Sequence, residues 1–260
     1  MRHVTCHLSY FTTKFDASKK FEVSHATKGL QTFLGLKYAT LKYSPLYTIR
    51  KIMIDDLLCS FKCLRVLSLS NHEVRNVVSD SIGNLKHLRY LNLERSKIKC
   101  LPDFVCALYN LQTLLLSRCN MLVELPSNLG RLVNLHCLDV TYTWLEEMPL
   151  EMGKLRNLQN LSISFVGKDS GSNIRELGEL RNLSGTFCIS NLKNVDCTKD
   201  ATKVNFKEKK YLSDLELEWG WHHEIDNSEN ERNVLEQLRP HTNIESLSIQ
   251  KIMVQDFQAG

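Results

Sequence analysis

The chain has 260 residues, of which 43% are hydrophobic and 24% charged. That is enough to bury a core in one elongated domain or two compact ones. A net charge of +4 is too mild for the dense basic face that nucleic-acid binding needs, so no nucleic-acid partner is expected. No run of apolar residues is long enough for a membrane span, and the start, MRHVTCHLSYFTTKF, lacks the apolar core of a signal peptide; the chain is expected to be cytoplasmic.

The nine cysteines are scattered and none forms Cys-x-x-Cys. This argues against a disulfide framework and against a zinc site. They read as reduced thiols packed in a core.

Residues 1–29 show no repeat and carry the polar run KFDASKKFE. Leu30–Leu36 (LQTFLGL) reads as a strand. Pro45 argues against a helix around it. From Ile49, the apolar residues Ile52, Leu57, Leu58 and Leu64 fall at roughly helical spacing. Residues 30–63 are therefore expected to form an irregular first repeat that covers the edge of a sheet.

From Leu64 one phrase recurs: LRVLSL, LRYLNL at Leu88, LQTLLL at Leu111, LHCLDV at Leu135 and LQNLSI at Leu158. The leading leucines step by 24, 23, 24 and 23 residues. This period and pattern signify a leucine-rich repeat. Within a unit the inner leucines, such as Leu91 and Leu93, follow strand alternation. A Leu-Pro or Met-Pro then leaves the strand at Leu101-Pro102, Leu125-Pro126 and Met148-Pro149, because proline lacks the N–H a ladder needs.

A second phrase returns the chain: SIGNLKHL, FVCALYNL, NLGRLVNL, EMGKLRNL, ELGELRNL. Its apolar i, i+3 pairs predict a short helical turn on the convex side. Gly83, Gly130, Gly153 and Gly178, with Cys106 as the exception, are read as small residues that let units pack closely. One unit alone leaves its leucines wet. Stacking buries them, at about 1.5–3 kcal/mol per leucine, so the array folds where a single unit does not. The expected fold is an α/β leucine-rich-repeat solenoid, a horseshoe with a parallel concave sheet and short helical or irregular convex segments.

Regular repeats span 64–182. Over 183–260 they lengthen: the leading positions Leu158, Leu183, Leu212 and Ile244 step by 25, 29 and 32 residues. Strands are expected at Thr186–Ser190, Leu212–Leu217 and Ile244–Ile249, and a helix at NVLEQLR. The stretch DCTKDATKVNFKEKK reads as a polar connection. With no polar capping unit after the last strand, the array reads as truncated.

Catalytic signatures are missing. Gly167-Lys168 is followed by Asp169 and belongs to no P-loop, and neither His-Glu-x-x-His nor Gly-x-Ser-x-Gly occurs. His222-His223 lies in an acidic loop and reads as solvated. His136 and Cys137 are adjacent strand residues that point to opposite faces. No catalytic, cofactor or metal site is expected, and the chain reads as a binding module and not an enzyme.

Function then falls to the outward strand positions. The candidates for protein binding are Tyr90, Asn92, Glu94, Arg95, Arg118, Asp139, Tyr142, Phe165, Asp214, Glu216, Glu218 and Trp219. Eight strands about 4.8 Å apart make a strip of roughly 40 Å, long enough for a standard interface of about 800 Å² per partner.

LRVLSLSNHEVRNVVSDSIGNLKHLRYLNLERSKIKCLP, ISNLKNV at Ile189 and W…NVLEQLRPHTNIESLSI resemble the repeat region of plant coiled-coil-type nucleotide-binding leucine-rich-repeat (NBS-LRR) disease-resistance proteins. HLSYFTTKFDASKKFE resembles the segment that joins their nucleotide-binding region to the repeats. The resemblance implies a module of innate immunity that restrains a nucleotide-binding switch. It also implies recognition of a pathogen effector, of a host target, or of the nucleotide-binding domain of the same receptor type. No P-loop is present, so nucleotide binding does not carry over. The alternative reading is a free-standing intracellular scaffold or ubiquitin-ligase adaptor.

Overall fold

The structure is a computed structural model that describes residues 6–12, 29–37, 58, 61–71, 80–168, 173–195, 198–220 and 228–250. It divides into two compact units. The first comprises Met1–Pro126 and Cys137–Trp144, the second Ser127–His136 and Leu145–Gly260.

In the first unit six strands lie side by side in chain order: β1 (Cys6–Thr12), β2 (Leu30–Lys37), β3 (Val66–Ser68), β4 (Tyr90–Asn92), β5 (Thr113–Leu115) and β6 (Cys137–Asp139). Every pairing among them is parallel. From β3 to β6 the register repeats without a slip. Leu67, Leu91, Leu114 and Leu138 stand opposite one another, and all four are fully buried. The constant repeat length brings the same position of each unit into one row. β1 lies within 1–29, where the sequence shows no repeat; its register shifts between Cys6 and His7. The helical spacing from Ile49 falls outside the described residues except for Leu58 and Leu64, which are buried. Phe33 on β2 and Phe61 pack with ring centroids 5.9 Å apart.

In the second unit β7 (Asn160–Leu161) is followed by four strands in the order β8 (Ile163–Phe165), β9 (Ser184–Ser190), β10 (Tyr211–Glu218) and β11 (Ser246–Gln250). The expected strands at 186–190, 212–217 and 244–249 are thus present within two residues of their expected ends. The helix predicted at NVLEQLR is α2 (Ser228–Gln237), preceded by α1 (Thr198–Val204). α1 lies in the stretch read as a polar connection. Its buried residues Ala201 and Val204 are spaced i, i+3, and the buried Phe206 packs on Phe187 with centroids 6.4 Å apart. These few apolar positions escaped notice among the lysines.

The predicted helical turns are tight 3-10 segments. In the first unit they are Asp80–Asn84 and Asp103–Ala107; in the second, Leu129–Arg131, Met152–Lys154 and Ile174–Glu179. Their i→i+3 bonds recur at the same slot: Leu85 N to Ile82 O, Leu108 N to Val105 O, Leu132 N to Leu129 O, Leu155 N to Met152 O and Leu180 N to Leu177 O. The glycines permit close approach, as expected. A methyl on Gly130 would meet Glu151 O at 2.5 Å, and one on Gly178 would collide with Lys203 O.

The asparagine that closes the return phrase has a further role. Asn110 donates its amide to Lys86 O at 2.8 Å, Asn157 to Val133 O at 2.8 Å and Asn182 to Arg156 O at 2.9 Å. Each side chain thus satisfies a carbonyl one repeat back, which a turn would otherwise leave unpaired. The recurring Asn-Leu was the signal in the sequence.

Candidate functional site

In the first unit the outward face is built in rows. Val66, Tyr90, Thr113 and Cys137 form one, and Ser68, Asn92, Leu115 and Asp139 form the next. Tyr90, Asn92 and Glu94 meet in one cluster. Asn92 Nδ2 donates to Glu94 Oε2 at 2.8 Å and Glu94 N donates to Asn92 Oδ1 at 2.8 Å. Ser117 Oγ donates to Glu94 Oε1 at 3.2 Å. Asn92 is buried, which corrects its reading as an exposed contact: its amide is consumed in bracing Glu94. Asp139 accepts from Thr141 N at 3.0 Å and Thr141 Oγ1 at 2.8 Å.

Where each strand leaves the sheet, a third row appears. Asn71, Arg95, Arg118 and Tyr142 have φ of 62, 55, 58 and 55°. Three of them extend the ladder by one bond: Asn71 N to Glu94 O, Arg95 N to Ser117 O and Arg118 N to Thr141 O, at 2.8–2.9 Å. The turn is closed by Ser96 N to Leu93 O and by Cys119 N to Leu116 O. At Tyr142 the hydroxyl of Thr143 closes it, donating to Val140 O at 2.8 Å. Positive φ at the third position of such a turn is the place of glycine or asparagine. A residue with a Cβ costs about 1–2 kcal/mol there. Yet the row carries Arg, Arg and Tyr, all exposed. Arg118 lies over the Tyr142 ring, 5.1 Å from its centroid, and Arg95 Nη1 donates to Asn71 Oδ1 at 3.5 Å. Trp144 is also exposed, at 67%; the candidate residues omitted it because it lies beyond the strand.

Just inside this turn Cys119 is buried. Its thiol donates to Leu93 O at 3.1 Å and lies 3.3 Å from Ser96 Oγ. Burial pushes its pKa up, so it behaves as a core hydrogen-bonding group.

In the second unit Asp214, Glu216 and Glu218 alternate with the buried Leu215 and Leu217. Asp214 Oδ2 accepts from Ser213 Oγ and from Thr186 Oγ1, the latter at 3.3 Å. Glu216 stands opposite Cys188 on β9 and Ser248 on β11. The ligand atoms of Cys188, Glu216 and Glu218 lie within 4.8 Å of one another. Burial, then Glu218 and Glu216, push the Cys188 thiol far above its ordinary range, so it stands protonated beside the two carboxylates. Among the described residues no ion pair involves these three acids, Arg95 or Arg118.

One candidate takes a different place from that expected. Trp219 is only 3% exposed. β10 runs straight through Glu218, Trp219 N donates to Gln250 O, and the positive φ comes one residue later, at Gly220. Without the left-handed turn, alternation carries the indole inward. Phe165 is half-buried at the end of β8, beside the buried Ser164 and Val166.

The profile of the leucine-rich repeat region family matches residues 46–258. The chain belongs to this family. It is similar to plant disease-resistance proteins over almost its full length. Against the putative disease resistance RPP13-like protein 1 of Arabidopsis thaliana it is 37% identical over 254 residues, 95% of this chain and 24% of that protein. Against the putative disease resistance protein At3g14460 of Arabidopsis thaliana it is 39% identical, over 95% of this chain and 18% of that protein. Against the putative disease resistance protein RGA1 of Solanum bulbocastanum the figures are 35%, 93% and 23%. The chain thus spans about a quarter or less of each of these relatives. Among the described residues of this leucine-rich-repeat chain, no helix is long and apolar enough to cross a membrane.

Proposed function

We propose that this chain is the protein-recognition and autoregulatory module of a plant immune receptor. It works in the cytoplasm, without catalysis. The outward strand face binds a pathogen effector, a host target or the receptor's own switch domain. One observation carries the reading: similarity to disease-resistance proteins extends over 93–95% of the chain, so the match takes in nearly all the repeats of this chain and not a few generic units. The outward rows support it. They vary in chemistry from unit to unit (Val66, Tyr90, Thr113, Cys137) while the buried row is leucine throughout. A surface held in fixed register and free to vary suits recognition.

The test is co-expression with the part of the RPP13-like relative that this chain does not span. Co-purification is expected, weakened by alanine at Tyr90, Arg118, Asp139 or Glu216. Absence of association, or association indifferent to every one of these changes, counts against the reading.

A further inference from the structure

We infer that Arg95, Arg118 and Tyr142 form an anchor row for a carboxylate-bearing segment of a protein partner. This rests on the protein-recognition role above and narrows it to one line of side chains and one partner chemistry.

The first argument is the backbone. Strain held at several residues points to function, because folding alone would remove it. The three positions are equivalent by place in the repeat and by positive φ, and glycine would relieve each. Asn71, at the head of the row, is the residue such a position tolerates best after glycine. The next three units hold larger side chains instead, and no burial compensates them. Beyond the weak Arg95–Asn71 bond and the Arg118–Tyr142 stack, these side chains reach into solvent.

The second argument is charge. Glu94 and Asp139 are the acids on the outward side of the same strands, and both spend oxygens on internal donors: Asn92 and Ser117 for Glu94, Thr141 for Asp139. Neither pairs with Arg95 or Arg118. The two guanidiniums lean apart along the row, Arg95 toward Asn71 and Arg118 toward Tyr142, and neither spends an N–H edge on an acid. Stacking on an aromatic ring engages the face of a guanidinium and leaves that edge available for bidentate bonding to a carboxylate. Tyr142 and the exposed Trp144 supply apolar area beside the charges, and Arg, Tyr and Trp are the residue types that dominate binding energy at interfaces. A nucleic-acid backbone fits less well, since Glu94 and Asp139 flank the same line.

The probe is a display library of random short peptides, panned on the full 260-residue chain. Selected peptides should be enriched in Asp and Glu. A variant with Arg95→Gly, Arg118→Gly and Tyr142→Gly should bind them at least about tenfold more weakly and melt at a higher temperature than the parent. Arg95→Gln with Arg118→Gln keeps the strain and removes the charge, so it should lose binding at an unchanged melting temperature. The proposal is overturned if the peptides are not acidic, if they bind the glycine variant equally, or if glycine lowers the melting temperature. Co-purification with the relative's remainder that survives both variants would leave the recognition role standing and remove this row from it.

Discussion

Lys209 offers a measurable account of one buried charge. It is 1% exposed and donates to Leu177 O at 2.6 Å and to Leu180 O at 2.9 Å. In the earlier repeats the carbonyls equivalent to Leu180 accept a backbone N–H, as Leu155 O does from Leu158 N. Burial first, then the neighbouring Arg181, pulls its pKa from 10.5 to about 8, against the pull of Glu208 and Glu179. The unfolded chain keeps this proton up to pH 10.5 whereas the folded chain releases it near pH 8, so between these values the unfolded state binds more protons and stability rises with pH. The gap of 2.5 pH units, at about 1.36 kcal/mol per unit, amounts to about 3 kcal/mol. The ammonium is thus costly at neutral pH, and its two carbonyl bonds offset part of that cost. Lys209→Met removes the titration and leaves Leu180 O without this donor, a loss of about 1–3 kcal/mol. Urea unfolding of parent and variant should be compared from pH 7 to pH 10.5. The difference should move in favour of the parent by about 3 kcal/mol, mostly above pH 8. A difference that stays flat, or moves the other way, refutes the reasoning.

The packing of successive 3-10 segments and the state of the thiols give two further expectations. Gly130→Ala places a methyl 2.5 Å from the backbone oxygen of Glu151, which cannot swing aside, so unfolding should become easier by about 1–3 kcal/mol, read as a lower urea midpoint. With a thiol-labelling reagent on the folded chain, Cys63 and Cys100 should react at once, because both are exposed. Cys106, Cys119 and Cys188 are buried and should wait for unfolding, as mass spectrometry of labelled peptides would show.

The parts of the fold legible in the sequence are those governed by one repeating physical demand. A leucine needed in the core at every turn of the array shows as a fixed step, and the step set the register of β3 to β6 correctly. The glycines of the return phrase were legible for the same reason. α1 was not, because a helix of seven residues docks with only two apolar positions. β1 was not either, since CHLSYFT lies outside the repeating phrase and pairs through its backbone. At the site, alternation alone would turn Arg95 and Arg118 inward, in line with the buried Leu91, Leu93, Leu114 and Leu116. The left-handed turn reverses them. With that turn Arg95, Arg118 and Tyr142 are exposed; Trp219, whose strand lacks it, is buried. The turn is a backbone property that arginine or tyrosine does not announce, whereas the glycine of Gly220 does.

The ladder that runs from Asn71 through Arg95 and Arg118 has a consequence for how such a surface can change. Each bond joins a residue to the one just before its counterpart in the next unit, and every unit from Leu64 to Leu158 has nearly the same length. Excising one whole unit would therefore restore the same bonds between new neighbours, with the leucine row intact. Arg95 could come to lie beside Tyr142 without one new substitution. Unequal recombination between repeats thus reshuffles the order of surface side chains in a single step, and the core places no obstacle in its way.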